Sequence, residues 1–140
     1  MTTIESFEVD HTELKAPRIR IAKQIDKGSF EVIKYDLRFV TPNTTYFDDK
    51  TMHSMEHLLA VSFKKEFGDD MIDLSPMGCK TGFYFTAFRC TEIYERIKKA
   101  IISAIDIEIP VPTEKNCGSY LLHNVEGARC ALRAIAKQLL

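Results

Sequence analysis

Alternating apolar and polar positions in the first third of the chain predict β-strands. Residues 4–9 alternate as a half-buried strand does, and His11 would follow the end of that strand. Residues 18–25 and 30–39 alternate again on either side of a turn cluster, which predicts an antiparallel hairpin of two long strands. On the second long strand, one face carries Ile33, Tyr35, Leu37 and Phe39, and the other carries Lys34, Asp36 and Arg38.

Helical spacing dominates the rest of the chain. Asp48 or Asp49 can cap a helix that runs to about Phe67 and is closed by Gly68. The apolar stripe of this helix consists of Met52, Met55, Leu59 and Phe63. Two short strands and two further helices follow, at residues 71–75, 83–88, 91–104 and from about 124 onwards, with an irregular segment at 114–123.

The order of these elements favours an α+β fold. The predicted strands outnumber the predicted helices, and the early strands are adjacent in sequence. We therefore expect an antiparallel β-sheet with helices packed on one face. The length is that of one globular domain, so we expect a single domain over residues 1–140.

Composition excludes several classes of protein. Apolar residues make up 45% of the chain and charged residues 28%, which is neither disordered nor membrane-spanning. The net charge of −1 gives no argument for a nucleic-acid or anionic-membrane partner. The N-terminal residues lack the basic and apolar regions of a signal peptide, so we expect a cytoplasmic protein. The four cysteines are accordingly interpreted as thiols rather than disulfides.

One face of the first long helix carries a metal-binding pattern. His53 and His57 are four residues apart and therefore lie one helical turn apart on the same face. Two neutral imidazoles there can hold one metal ion, and Glu56 is close enough to transfer protons beside it. This is the inverted H-x-x-E-H order. The alternative is two surface histidines on an amphipathic helix.

A catalytic metal usually has a third protein ligand and one open position. Cys117 is the best candidate, because Gly118 relieves crowding where the backbone approaches an ion. Cys79, in a turn between two glycines, is either a ligand or a reactive thiol, and spacing does not decide between the two cysteines. His123 is interpreted as a loop residue, because a fourth ligand would close the open position.

Seven short blocks of sequence, spread from Ile4 to Arg129, together resemble one enzyme family. The blocks are Ser6-Phe-Glu-Val-Asp-His11-Thr, Lys34-Tyr-Asp-Leu-Arg38-Phe, His53-Ser-Met-Glu-His57-Leu, Asp73-Leu-Ser-Pro-Met-Gly-Cys79, Thr81-Gly-Phe-Tyr, Cys117-Gly and Glu126-Gly-Ala-Arg129. In these blocks the chain resembles the S-ribosylhomocysteine lyase (LuxS) family.

The resemblance implies an activity and an assembly. The family cleaves S-ribosylhomocysteine into homocysteine and 4,5-dihydroxypentane-2,3-dione, the precursor of a quorum-sensing autoinducer. It works as a homodimer with sites at the subunit interface, around an Fe²⁺ ion that Zn²⁺ often replaces. Carried over to this chain, the resemblance makes His53, His57 and Cys117 the metal ligands, Glu56 and Cys79 the general acid/base pair, Ser6, His11 and Arg38 pocket residues, and Asp73 a residue near the homocysteine end.

The chemistry implied by the resemblance calls for such residues. Two aldose–ketose shifts must move the carbonyl along the sugar before the thiol can be eliminated. Each shift removes a proton beside a carbonyl and forms an enediolate, which a divalent metal stabilises. Cys79 is plausible as a base only as a thiolate, with positive charge from the metal or Arg38 nearby. Glu56 can move the remaining protons and protonate the departing thiolate.

Two other interpretations fit the metal-binding pattern. In an inverted zinc peptidase, Glu56 would activate a metal-bound water, although the small size and the lack of a role for Cys79 argue against it. In a non-enzymatic metal-binding or metal-sensing protein, Cys79 would complete a closed site with His53, His57 and Cys117.

Overall fold

The computed structural model describes residues 2–139 and confirms the α+β class with an antiparallel sheet. A 3₁₀ turn at Gly68–Asp70 follows the first long helix. In chain order, the helices and strands are α1 (Glu5–Glu8), β1 (Arg18–Lys27), β2 (Phe30–Arg38), α2 (Asp49–Phe67), β3 (Met71–Pro76), β4 (Gly82–Phe88), α3 (Ile93–Ala104) and α4 (Val125–Leu139).

The predicted strand over residues 4–9 is wrong. Glu5–Glu8 forms one helical turn, in which the Phe7 amide donates to the Ile4 carbonyl at 2.9 Å. The Phe7 side chain is 80% exposed, so the alternating pattern here does not mark a buried face. Within residues 2–139, strands therefore do not outnumber helices.

The described residues form two compact units. Unit 1 comprises residues 2–46 and 69–92, and it contains the four-stranded sheet. Unit 2 comprises residues 47–68 and 93–139, and it contains the three long helices. The expectation of one domain over residues 1–140 stays a prediction.

In unit 1 the strand order is β1-β2-β4-β3, with every neighbouring pair antiparallel. The predicted hairpin is confirmed as β1 and β2. The predicted apolar face of β2 is buried, whereas on β1 Ile21 is 45% and Ile25 41% exposed, so the alternation on the edge strand does not mark a buried face. Tyr35 stacks on Phe85 of β4 with ring centroids 6.1 Å apart. Cross-strand aromatic pairs of this kind fix the register of neighbouring strands.

The opposite face of β2 is not solvated. Asp36 is fully buried and Arg38 is 1% exposed, although a strand with one wet face would leave both in water. Lys34 is half-buried, with its Nζ 4.1 Å from the centroid of the Tyr84 ring. β2 is therefore a central strand that carries two buried charged side chains.

In unit 2 the helices α2, α3 and α4 pack on one another. The predicted cap of α2 is confirmed, because an Asp48 carboxylate oxygen accepts from the Thr51 amide at 2.8 Å. The predicted apolar stripe of α2 is buried, and the Ser62 hydroxyl donates to the Ala100 carbonyl of α3 at 2.5 Å. None of the described helices combines the length and the apolar character that crossing a membrane requires.

The connection between α3 and α4 is irregular, as predicted, but it is anchored. The Arg129 guanidinium donates to the Ile105 carbonyl at 2.7 Å and to the Ile107 carbonyl at 3.0 Å. At its other end, the Asn124 side chain accepts from the Gly127 amide at 2.9 Å and so caps α4. The loop that contains Cys117 therefore starts and ends at fixed points.

Gly82 of β4 lies opposite Arg38 of β2 and allows a direct test of this register. A Cβ at Gly82 would lie 2.1 Å from the Leu37 carbonyl oxygen, which is backbone and cannot move aside alone. We expect Gly82→Ala to lower the free energy of unfolding by about 1–3 kcal/mol, the usual cost of overpacking. Gly78→Ala is the matched control, because a Cβ there meets nothing within 4 Å. Equal thermal stability of the two variants would contradict the register.

Candidate metal centre and thiol site

Three histidines and one cysteine converge in unit 2. His53 and His57 stand one turn apart on α2, while Cys117 and His123 come from the loop between α3 and α4. The Cys117 Sγ lies 3.5 Å from the His53 Nε2, 3.9 Å from the His57 Nε2 and 3.6 Å from the His123 Nε2. All four ligand atoms lie within 4.8 Å of one another, so the group could hold a metal ion.

Two of the imidazole rings are oriented by hydrogen bonds at their other nitrogen. The His53 Nδ1 lies 2.7 Å from the Leu122 carbonyl oxygen, which can only accept, so this nitrogen carries the proton and the Nε2 keeps its lone pair. The His123 Nδ1 lies 2.9 Å from the hydroxyl of Ser54, a fully buried residue of α2. Metal-ligating histidines are held in this way in most proteins. The donor set of nitrogen and thiolate sulfur suits Zn²⁺ and Fe²⁺.

The electrostatics of the cluster favour neutral rings. Burial lowers the pKa of His57, the positive charge of His53 lowers it further, and Glu56 opposes the shift. Burial likewise lowers the pKa of His123, with smaller contributions from His53 and His57. Near neutral pH these rings are therefore in the unprotonated form that binds a metal.

His123 is the member of this cluster that sequence reasoning did not assign. It does lie in the loop, but its Nε2 faces the Cys117 sulfur. The spacing of six residues after Cys117 is the only sequence signal. What turns the ring inward is the Ser54 hydroxyl, which also accepts from the Asn124 amide at 2.8 Å. These two contacts of Ser54 span 69 and 70 positions of the sequence, so a local sequence pattern does not reveal them.

Glu56 lies beside the cluster rather than within it. Together with His57 it lines a cavity of about 280 Å³, whose apolar wall includes Val61, Ile109 and Pro110. Glu56 is not among the ligating group. Its position next to a ligand suits a group that exchanges protons with a molecule bound there.

In unit 1, Cys79 occupies a tight turn between β3 and β4. The Met77 amide donates to the Gly82 carbonyl at 3.0 Å and the Lys80 amide donates to the Met77 carbonyl at 2.9 Å, which closes the turn. Lys80 has a φ of 60°, in the left-handed region. The Cys79 side chain is exposed, and its Sγ lies 3.0 Å from the Thr81 hydroxyl and 3.8 Å from the Arg38 Nη1.

Arg38 belongs to a buried charge cluster. Its Nε and Nη2 donate to the two carboxylate oxygens of Asp36 at 3.1 and 2.7 Å, and its Nη1 donates to the Thr81 hydroxyl at 2.9 Å. The Arg20 Nη2 lies 2.8 Å from the same Asp36 carboxylate. Two guanidinium groups share one carboxylate, so the cluster keeps one positive charge beside the Cys79 sulfur.

The other predicted pocket residues are distributed over unit 1. His11 and Cys79 line one cavity of about 340 Å³. Ser6 lines a different cavity of about 220 Å³, together with Arg20. Asp73 is exposed on β3 and accepts a hydrogen bond from the Ser75 hydroxyl. The structure thus brings His11 and Arg38 to Cys79 and places Ser6 in a separate cavity.

Comparisons with known proteins identify the family of the chain. A family model described as S-Ribosylhomocysteinase (LuxS) matches residues 4–140. The chain is 47% identical over 146 aligned residues to an S-ribosylhomocysteine lyase of Clostridium perfringens, which covers 100% of this chain and 93% of the relative. It is 41% identical over 132 residues to an S-ribosylhomocysteine lyase of Exiguobacterium sibiricum, which covers 90% of this chain and 84% of the relative. An S-ribosylhomocysteine lyase of Helicobacter pylori is 41% identical over 137 residues, with 94% of this chain and 89% of the relative covered. The family model spans nearly the whole chain and full-length relatives share more than two fifths of its residues, so the chain belongs to the S-ribosylhomocysteine lyase (LuxS) family.

Proposed function

We propose that this protein is an S-ribosylhomocysteine lyase that produces homocysteine and 4,5-dihydroxypentane-2,3-dione. The observation that carries the proposal is the family match over residues 4–140. Such a reaction needs a metal site and a thiol that can act as a base. His53, His57 and Cys117 could form the first, and Cys79, beside the buried Arg38 guanidinium, could provide the second. Membership of this family does not favour a metallopeptidase or a non-enzymatic metal site.

His53, His57 and Cys117 would hold the metal, with His123 as a further donor that faces the same point. With four protein donors, the sugar oxygens would bind as additional ligands, because catalytic metal sites can expand beyond four ligands. We propose Fe²⁺ at this site, with Zn²⁺ able to replace it, because both accept nitrogen and thiolate ligands. When bound, the ion supplies a Lewis acid that stabilises negative charge on the sugar oxygens.

The proton transfers fall to Cys79 and Glu56. In the substrate, three carbons lie between the aldehyde carbon and the carbon that bears the sulfur. Two aldose–ketose shifts must therefore move the carbonyl towards the sulfur before the thiol can be eliminated. The Cys79 thiolate takes the proton from the carbon beside the carbonyl and returns it to the neighbouring carbon, and the Arg38 charge stabilises that thiolate. In each shift, Glu56 moves the hydroxyl proton from one sugar oxygen to the next. In the elimination, Glu56 takes the proton from the carbon next to the carbonyl, the carbon–sulfur bond breaks, and Glu56 gives that proton to the homocysteine thiolate.

The remaining roles follow the family resemblance. Ser6, His11 and Arg38 would contact the substrate, and Asp73 would lie near its homocysteine end.

We further propose a homodimer with its sites at the interface. An interface between two copies could bury apolar side chains that are exposed in one chain, such as Phe7 (80% exposed), Val111 (79%) and Leu121 (76%). We expect the protein in the cytoplasm, and we expect its dione product to feed autoinducer synthesis.

Thiol release tests the proposed activity directly. Incubation with S-ribosylhomocysteine should release one free thiol for each substrate consumed, measured by titration with a chromogenic disulfide. Treatment with a chelator should lower the rate by at least about 100-fold, and added Fe²⁺ or Zn²⁺ should restore it, because the Lewis acid is lost and regained. A peptidase would release no thiol, and full activity of the metal-free protein would contradict the metal's role.

Two alanine variants separate the ligand role from the acid/base role. Cys117→Ala should lose the metal, because it removes the only sulfur donor of the group. Cys79→Ala should keep the metal and lose activity, because Cys79 lies outside that group. Metal content by elemental analysis and thiol release are the two measurements, and Cys130→Ala, an exposed thiol on α4, should preserve both. An empty site in Cys79→Ala would instead favour the metal-sensing interpretation.

Ser54 should matter for the metal although it cannot reach the ion itself. Its hydroxyl holds His123 and the start of α4, and loss of such a contact typically costs 10- to 100-fold in metal affinity. We therefore expect Ser54→Ala to weaken Zn²⁺ binding by about that factor in a competition titration with a chromogenic chelator. Ser62→Ala is the matched control, a second buried serine of α2 whose hydroxyl bonds α3 instead. Equal affinities in the two variants would show that Ser54 does not orient a ligand.

A further inference from the structure

Thr81 connects the Cys79 thiol to the buried charge cluster of unit 1. Its side chain is 3% exposed, with the hydroxyl 3.0 Å from the Cys79 Sγ and 2.9 Å from the Arg38 Nη1. The Thr81 backbone is fixed as well, because its carbonyl accepts from the Phe39 amide at 2.9 Å and from the Val40 amide at 3.1 Å. The hydroxyl therefore sits at a defined place between sulfur and guanidinium.

The donor inventory fixes the direction of one of these hydrogen bonds, and the charge state of Cys79 decides the direction of the other. A guanidinium can only donate, so the Thr81 oxygen accepts from Arg38. The hydroxyl has a single proton, and the Cys79 sulfur at 3.0 Å is in range to accept it. A thiolate has no proton to give and can only accept. The arrangement thus suits the charged form of Cys79, with the donor polarised by the Arg38 charge behind it.

We infer that Thr81 is a positioning residue, whose hydroxyl donates to the Cys79 thiolate and holds it in the orientation from which it takes a proton. This inference rests on the proposed function, in which Cys79 is a base. Asp36 acts indirectly, through Arg38, because its two carboxylate oxygens fix the plane of the Arg38 guanidinium. The direct contribution of Arg38 is weaker, since its Nη1 is 3.8 Å from the sulfur.

Other charged and titratable groups also face this thiol, and a test has to leave them unchanged. His11 shares the cavity of about 340 Å³ with Cys79. Tyr84 senses the same cluster: burial raises its pKa, Asp36 and Cys79 add to the rise, and Arg38 opposes it. A change at Thr81 alters the hydrogen bond and adds or removes no charge. The groups to be kept are His11 and Tyr46, which line this cavity with Cys79, together with Arg20, Asp36, Arg38 and Tyr84.

The rate of alkylation of Cys79 by iodoacetamide, measured against pH on the intact protein, tests the inference. Peptide mass analysis assigns the modification to Cys79 rather than to the other three cysteines. Thr81→Val keeps the shape of the side chain and removes the hydroxyl. We expect the midpoint of the alkylation curve to rise by about one pH unit, since hydrogen bonds to charged groups are among the stronger ones. Thr81→Ser restores the hydroxyl, and its midpoint should return to within about 0.3 units of the parent value.

The outcomes distinguish positioning from folding. An unchanged midpoint in Thr81→Val overturns the inference, and so does a shift that Thr81→Ser fails to reverse. Thermal melting checks that each variant is folded; should Thr81→Val be unfolded, a displaced midpoint in Thr81→Ser is still sufficient to overturn the inference. Thiol release from S-ribosylhomocysteine by the parent protein tests the proposed function separately. Its failure would defeat that function and leave the alkylation curves as they are.

Discussion

The site in unit 2 depends on the hydrogen bonds that tie a distant loop to the first two turns of α2. A helix can offer two imidazoles on one face, but it cannot surround an ion by itself. The Ser54 hydroxyl and the His53 ring each bond the chain near His123, at the Asn124 amide and the Leu122 carbonyl. These bonds set where α4 begins and bring Cys117 to the imidazoles. The contacts that dock this loop on α2 are therefore also the contacts that assemble the donor set.

In unit 1, the site depends on a positive charge, that of Arg38, held next to the exposed Cys79 thiol. Burying Arg38 and Asp36 removes both charges from water, and the desolvation penalty is large. Apolar side chains of similar volume are often at least as stabilising at such positions. The cluster leaves one guanidinium charge uncompensated, and a closed turn holds the sulfur beside it. A buried charge cluster of this kind contributes little to the free energy of unfolding, but it places a charge at one defined side chain. That combination is typical of a reactive site.

Much of this could be predicted from sequence, and the remainder has a common cause. The hairpin, the cap and stripe of α2, and the pairing of His53 with His57 all follow from local periodicity. Residues 4–9 were misread because a short alternating run is equally compatible with one helical turn. The roles of Thr81 and His123 were missed because each depends on partners from other segments of the chain, Arg38 and Ser54 respectively. Whether a polar strand face is buried also depends on its neighbours, as Asp36 shows.

Arg129 bears on where the loop before α4 can change in length without disturbing the candidate ligands. Its guanidinium donates to the Ile105 and Ile107 carbonyls just after α3. From Val111 onwards the loop is held by its own hydrogen bonds, because the Asn116 side chain donates to the Val111 carbonyl at 3.1 Å and the Cys117 amide donates to the Thr113 carbonyl at 3.0 Å. Residues 108–110 lie between these two fixed points, so an insertion there would leave the turn that carries the Cys117 sulfur intact and would instead change the apolar wall of the cavity beside Glu56.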